Sequence, residues 1–131
     1  MKLLIRVEAG ISSTPNGDEQ VFAKNADGLQ SDEIFAEYID KGYPELYAAN
    51  IKGGVLTLRY EEQTEQLWSN VEYEVGDRLS PTQEAALIEY TIQQLVDGIG
   101  DNLSQEYDDR TGVFIRFASS IRNPQLRYES I

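Results

Sequence analysis

The segment Asp97-Gly98-Ile99-Gly100-Asp101 holds the residue types and spacing closest to a chemical site. Carboxylates four positions apart share a helical face if the helix continues through the glycines. They converge from a helix end and a turn if it breaks. Asp97 near a helix C-terminus meets the partial negative charge of that end, a local conflict that a bound Mg²⁺ or Ca²⁺, or a partner's Arg or Lys, would relieve. Asp108 and Asp109 add oxygen ligands only if the intervening chain folds back. A plainer arrangement stands beside this one: Gly98 caps the helix, Gly100 permits the next turn, and both carboxylates face water. The spacing departs from that of a calcium-binding loop, and a divalent cation needs several oxygen ligands. No metal site is therefore assigned, and catalytic residues stay unassigned.

The absence of Cys and His removes most other designs. Thiolate nucleophiles, thiolate zinc sites, imidazole bases and Ser-His-Asp triads are excluded within the chain. Remaining chemistry rests on carboxylates, Arg, Lys, Tyr, hydroxyls or an oxygen-liganded cation, and no cofactor is expected. The stretch Gly10-Ile11-Ser12-Ser13-Thr14-Pro15-Asn16-Gly17 lacks the lysine motif of a phosphate loop. Gly53-Gly54 reads as a turn before a strand. Arg59 and Arg116 are strand arginines of the kind that face solvent or join ion pairs.

Charge is the strongest compositional signal. The formal net charge is -12, and residues 61–109 hold thirteen acids against one base, Arg78. Residues 1–60 carry nine acids and six bases, and residues 110–131 one acid and four arginines. Such a field repels phosphate, so direct binding to nucleic-acid backbones or an anionic membrane is disfavoured, and a basic protein partner is favoured. Surplus surface carboxylate also keeps a protein in solution without recognising anything. The candidate protein-binding set is Trp68, Glu72, Glu74, Asp97, Asp101, Asp108 and Asp109, with Trp68 as apolar anchor or as a lid folded over the sheet. Tyr38, Tyr43 and Tyr47 are spaced to cluster, either as an interaction surface or as a small core.

The elements that must position these groups follow from periodicity. Leu3, Ile5, Val7 and Ala9 alternate with Lys2, Leu4, Arg6 and Glu8, a strand with one buried face. Gln30–Lys41 carries a helical stripe of Ile34, Phe35, Tyr38 and Ile39. Val55–Glu61 and Asn70–Val75 read as strands joined through a polar connection, Glu62–Ser69. Ser80-Pro81-Thr82-Gln83 places a hydroxyl at the N-cap, proline at the first helical position and Gln three residues on, the start of a long amphipathic helix. Leu87, Ile88, Thr91, Ile92, Leu95, Val96 and Ile99 trace its apolar face. Val113–Ala118 is apolar on both faces, as a central or helix-covered strand would be. Leu126–Tyr128 reads as a short edge strand.

The length of 131 residues suits one globular domain, residues 1–131. The expected fold class is α+β: a single-layer antiparallel or mixed sheet of about 4–5 strands, covered by one long and one shorter helix. No apolar run reaches the ~20 residues of a membrane span. Arg6 and Glu8 interrupt the opening apolar run before signal-peptide length, so a cytoplasmic location is expected. The functional expectation is an interaction or regulatory protein with an acidic surface for a basic partner. Its rivals are a small divalent-cation-dependent enzyme using carboxylates and a structural subunit of a larger assembly.

Overall fold

The computed structural model describes residues 1–8, 11–13, 24, 27–30, 35–39, 42–97, 107–108, 113–115 and 122–129. In chain order the strands are β1 (Lys2–Glu8), β2 (Ile11–Ser13), β3 (Lys52–Glu61), β4 (Gln66–Glu74), β5 (Tyr107–Asp108), β6 (Val113–Ile115) and β7 (Arg122–Glu129). The helices are α1 (Pro44–Tyr47) and α2 (Pro81–Asp97), preceded by a 3-10 turn at Phe35–Tyr38. The architecture is α+β, as the sequence predicts.

An antiparallel sheet of four strands in the order β3-β4-β1-β7 forms the frame. β1 therefore lies inside the sheet, with Ile5 opposite Val71 on one side and Leu126 on the other. Its period-two pattern explains the choice of faces. Leu3, Ile5 and Val7 are fully buried, as are Val71 and Tyr73 of β4 and Leu56 and Leu58 of β3. A one-residue slip would turn this whole set to the opposite face. A second, three-stranded sheet has the order β2-β6-β5, so of the strand expected at Val113–Ala118 the residues Val113–Ile115 form the middle member of a separate sheet, and residues 116–118 lie outside the described set.

α2 starts where its cap requires. The Gln83 amide donates to Ser80 Oγ at 3.2 Å, and the Ser80 amide donates to Gln83 Oε1 at 2.9 Å. Two amides lacking helical partners are thus satisfied reciprocally. The helix lays Leu87, Tyr90, Thr91 and Leu95 on the sheet, while Ile88 and Ile92 are partly buried at the margin. A buried hydrogen bond ties the layers together: Tyr73 Oη and Thr91 Oγ1 are 2.7 Å apart, and Thr91 Oγ1 donates to Leu87 O at 2.7 Å. Tyr90 Oη donates to Phe35 O, which fixes the 3-10 turn against the same helix.

Gly54 makes that docking possible. Its φ is +87°, and a Cβ there would lie 2.7 Å from Tyr73 Cε1 and 2.8 Å from Phe35 Cβ. Only glycine supplies both the conformation and the space. It sits where the β3–β4 register shifts between Gly53 and Val55.

Four local expectations change, the first being that Gly53-Gly54, expected as a turn before a strand, lie inside β3. The connection between β3 and β4 is the short turn 62–65, closed with Glu65 at φ +56°, so Leu67 and Trp68 belong to β4. Of the helix expected over Gln30–Lys41, residues 35–38 form a 3-10 turn, Gln30 instead bridges to Thr57 beside β3, and residues 31–34, 40 and 41 lie outside the described set. The short strand expected at Leu126–Tyr128 is the eight-residue β7, whose Pro124 is tolerated at a sheet edge. Among the described residues no helix is long and apolar enough to cross a membrane.

Candidate functional site

The sheet presents two different faces, and its pairing register shows how they differ. The face under α2 is the apolar core. The opposite face carries side chains in rows that run across the strands. One row is Lys52, Glu74, Lys2 and Glu129, alternating in sign. The next is Val55, Glu72, Leu4 and Arg127, and after it Thr57, Asn70, Arg6 and Gln125. Opposite charges at adjacent cross-strand positions attract, each pair contributing only tenths of a kcal/mol to about 1 when exposed. Lys2 Nζ lies 3.1 Å from Glu72 Oε1.

These rows decide the fate of the predicted acidic set. Glu72 and Glu74 are exposed on this face, but Lys2 and Lys52 stand beside them. Trp68 shares the face yet is only 5% exposed, with the Arg6 guanidinium carbon 4.0 Å from its ring centroid. Arg6 also pairs with Glu61. Cation–π stacking and burial therefore occupy the indole that the sequence offers as an apolar anchor. Asp97 is the last residue of α2, in the layer packed against the other side of the sheet. Asp108 stands opposite Val113 in the second sheet, whereas Asp101 and Asp109 lie outside the described residues. The structure thus groups Trp68, Glu72 and Glu74 and separates them from Asp97. Among the described residues no group of three or more Asp or Glu side chains is placed to hold a metal ion.

Among the described residues, the helical elements themselves concentrate acid without a base of their own. The 3-10 turn carries Glu37, α1 carries Glu45, and α2 carries Glu84, Glu89 and Asp97, while none of these three elements contains Lys or Arg. Glu37, Glu45 and Glu89 are exposed. Tyr43 senses the local field: partial burial first, then the charges of Glu89 and Glu45, push its phenol above the ordinary tyrosine value. Its ring meets Tyr90 edge-on, with centroids 5.4 Å apart, so it belongs to the core margin. Tyr47, at the end of α1, is 71% exposed and free to be covered by a partner.

No protein-family model, curated protein or solved structure matches this chain.

Arg78, the base that stands before α2, is already engaged: its guanidinium carbon lies 4.5 Å from the Tyr128 ring centroid. Tyr128 Oη donates to Glu84 Oε2 at 2.8 Å and accepts from the Leu79 amide at 2.9 Å. Burial and the Glu84 bond raise the pKa of Tyr128 above the ordinary value, against smaller opposing effects of Leu79 and Arg78. Glu45 and Glu89 escape a reading that looks for dense acidic runs, because they are 44 positions apart. The available signal is subtler: consecutive helical segments with acids and not one base.

A smaller feature lies on the other face. Leu4, Arg6, Asn70, Gln125 and Arg127 line a cavity of about 110 Å³. Arg6 Nε and Asn70 Oδ1 are buried without a hydrogen-bond partner. An unsatisfied buried polar group costs about 1–3 kcal/mol, and Trp68 Nε1 and Ser69 Oγ of β4 share that condition.

Proposed function

We propose that this chain is an interaction or regulatory protein that captures a basic partner through the acidic helical layer. The observation supporting this reading is the absence of any Lys or Arg from three elements that together present Glu37, Glu45, Glu89 and the exposed Tyr47. Long-range attraction draws a Lys- or Arg-rich segment to the layer. Tyr47 then supplies a rigid aromatic surface on which a cationic side chain stacks, excluding water from part of the contact. This role replaces Trp68 with Tyr47 as the anchor, since the indole is already covered by Arg6.

The test is titration of a fluorescent peptide of alternating Arg and Ser, read by anisotropy at several salt concentrations. Replacing both Glu45 and Glu89 by Gln weakens binding about three- to tenfold and flattens the salt dependence, the scale expected for two exposed charge contacts. Tyr47→Ala weakens binding with little change in salt dependence. Glu72→Gln with Glu74→Gln, on the mixed-charge face, leaves both nearly unchanged. Equal losses from the two acidic pairs would reduce the effect to net charge and overturn the assignment.

A further inference from the structure

The two edges of the four-stranded sheet are finished differently. On β3, the Gly28 amide donates to Leu58 O and the Leu58 amide donates to Leu29 O, each at 2.8 Å, and the Tyr60 amide donates to Asp27 Oδ1 at 2.9 Å. That edge is closed by the chain's own residues. On β7 the direction of each backbone group follows from β1, because residues directly opposite in an antiparallel pair exchange both hydrogen bonds or neither, in alternation. The Val75 amide donates to Met1 O at 3.0 Å, so Met1, Leu3 and Ile5 direct their backbone groups to β4. Lys2, Leu4 and Arg6 then direct theirs to Glu129, Arg127 and Gln125 of β7. Leu126 and Tyr128 are left with N–H and C=O groups turned outward, and among the described residues nothing pairs with them. Their side chains are only partly buried. Pro124, at the next outward position, has no N–H to offer.

We infer that β7 is the edge through which two copies of this chain pair, antiparallel, into one continuous sheet. Outward-facing positions must meet outward-facing positions, which leaves few two-fold registers. Any register that sets Pro124 opposite Leu126 or Tyr128 forfeits a donor in each copy. An axis centred on Arg127 or on Glu129 places like charges directly opposite, which is destabilising. An axis centred on Tyr128 avoids both faults. There Tyr128 exchanges both backbone bonds with the partner's Tyr128, and Arg127 stands opposite the partner's Glu129. Within one strand Arg127 and Glu129 already attract each other at 2.5 Å, so the four charges close an alternating ring with none left over. The row Lys52, Glu74, Lys2 and Glu129 continues its alternation of sign into the partner's Arg127. This charge complementarity of β7 with itself selects a second copy as the occupant. The inference is independent of the acidic helical layer.

Sedimentation velocity of the full chain at concentrations up to about 1 mM tests it, with hydrogen exchange of the Tyr128 amide as the local readout. A concentration-dependent dimer is expected. The Tyr128 amide becomes protected as it forms, while the Arg127 amide, already bonded to Leu4, does not change. Arg127→Glu and Glu129→Arg each weaken the dimer at least about tenfold, because both symmetry-related contacts turn repulsive. Net charge alone predicts the opposite for Glu129→Arg, which makes each copy less negative. Mixing the two variants restores dimers, since every facing pair is again of opposite sign. Both side chains are exposed, 68% for Arg127 and 44% for Glu129, so neither change disturbs the core. A wild-type chain that stays monomeric at about 1 mM, a Tyr128 amide whose exchange ignores concentration, or a dimer strengthened by Glu129→Arg overturns the inference. The wild-type readouts decide the matter even if a variant fails to fold.

Discussion

Replacing Thr91 by Val should destabilise the protein more than replacing Tyr73 by Phe, although both changes delete the same buried contact. The Thr91 hydroxyl has one proton and directs it to Leu87 O at 2.7 Å. Tyr73 must therefore donate its own proton to Thr91 Oγ1, across a separation of 2.7 Å. Tyr73→Phe removes the donor and leaves Thr91 bonded to Leu87, a loss of about 0.5–1.5 kcal/mol. Thr91→Val leaves the fully buried Tyr73 hydroxyl with no acceptor, which adds the desolvation penalty of a stranded donor and brings the loss to about 2–3 kcal/mol. The double variant strands nothing and should resemble Tyr73→Phe alone, about 2–3 kcal/mol less damaging than the sum of the singles. Urea unfolding with an unchanged slope measures all three values. Equal costs for the single variants, or a double variant equal to their sum, would refute the direction of the hydrogen bonds.

Gly54→Ala should cost about 2–4 kcal/mol in the same assay, combining positive-φ strain with a clash against Tyr73 and Phe35. Gly42→Ala, at φ +89° but with no atom within 4 Å of the added carbon, should cost only about 1–2 kcal/mol. Stability should also fall as pH rises past the unfolded tyrosine value of 10.0, because fully buried Tyr73 and partly buried Tyr128 retain protons that the unfolded chain releases. The stabilisation is complete below that pH and is lost progressively above it. Tyr73→Phe should flatten the alkaline decline measured by urea unfolding at successive pH values.

The elements most legible in the sequence are those whose local chemistry agrees with their environment. Ser80 and Gln83 announce the start of α2 because the cap is built from neighbouring residues. β1 reveals itself because its alternating apolar side chains all face one core. The beginning of β4 is obscured by an inverted pattern: polar Ser69 is fully buried on the core side, while apolar Trp68 lies on the opposite face beneath Arg6. That inversion disguises a strand as a connection. Pro124 hides the first half of β7, since a central strand would reject it and an edge strand accepts it. The candidate acidic site is less legible still. Linear charge density points to Glu72 and Glu74, but strand register places lysines beside them, and no local pattern announces that pairing.

The position of β1 also governs how the fold is assembled. Its Ile5–Val71 pairing closes a shorter loop than its Ile5–Leu126 pairing, which spans most of the chain. Without β7 the strand would present one unfilled row of backbone donors and acceptors, a template for pairing with another molecule. In the folded sheet β7 fills that row, so β1 offers no free edge to another copy.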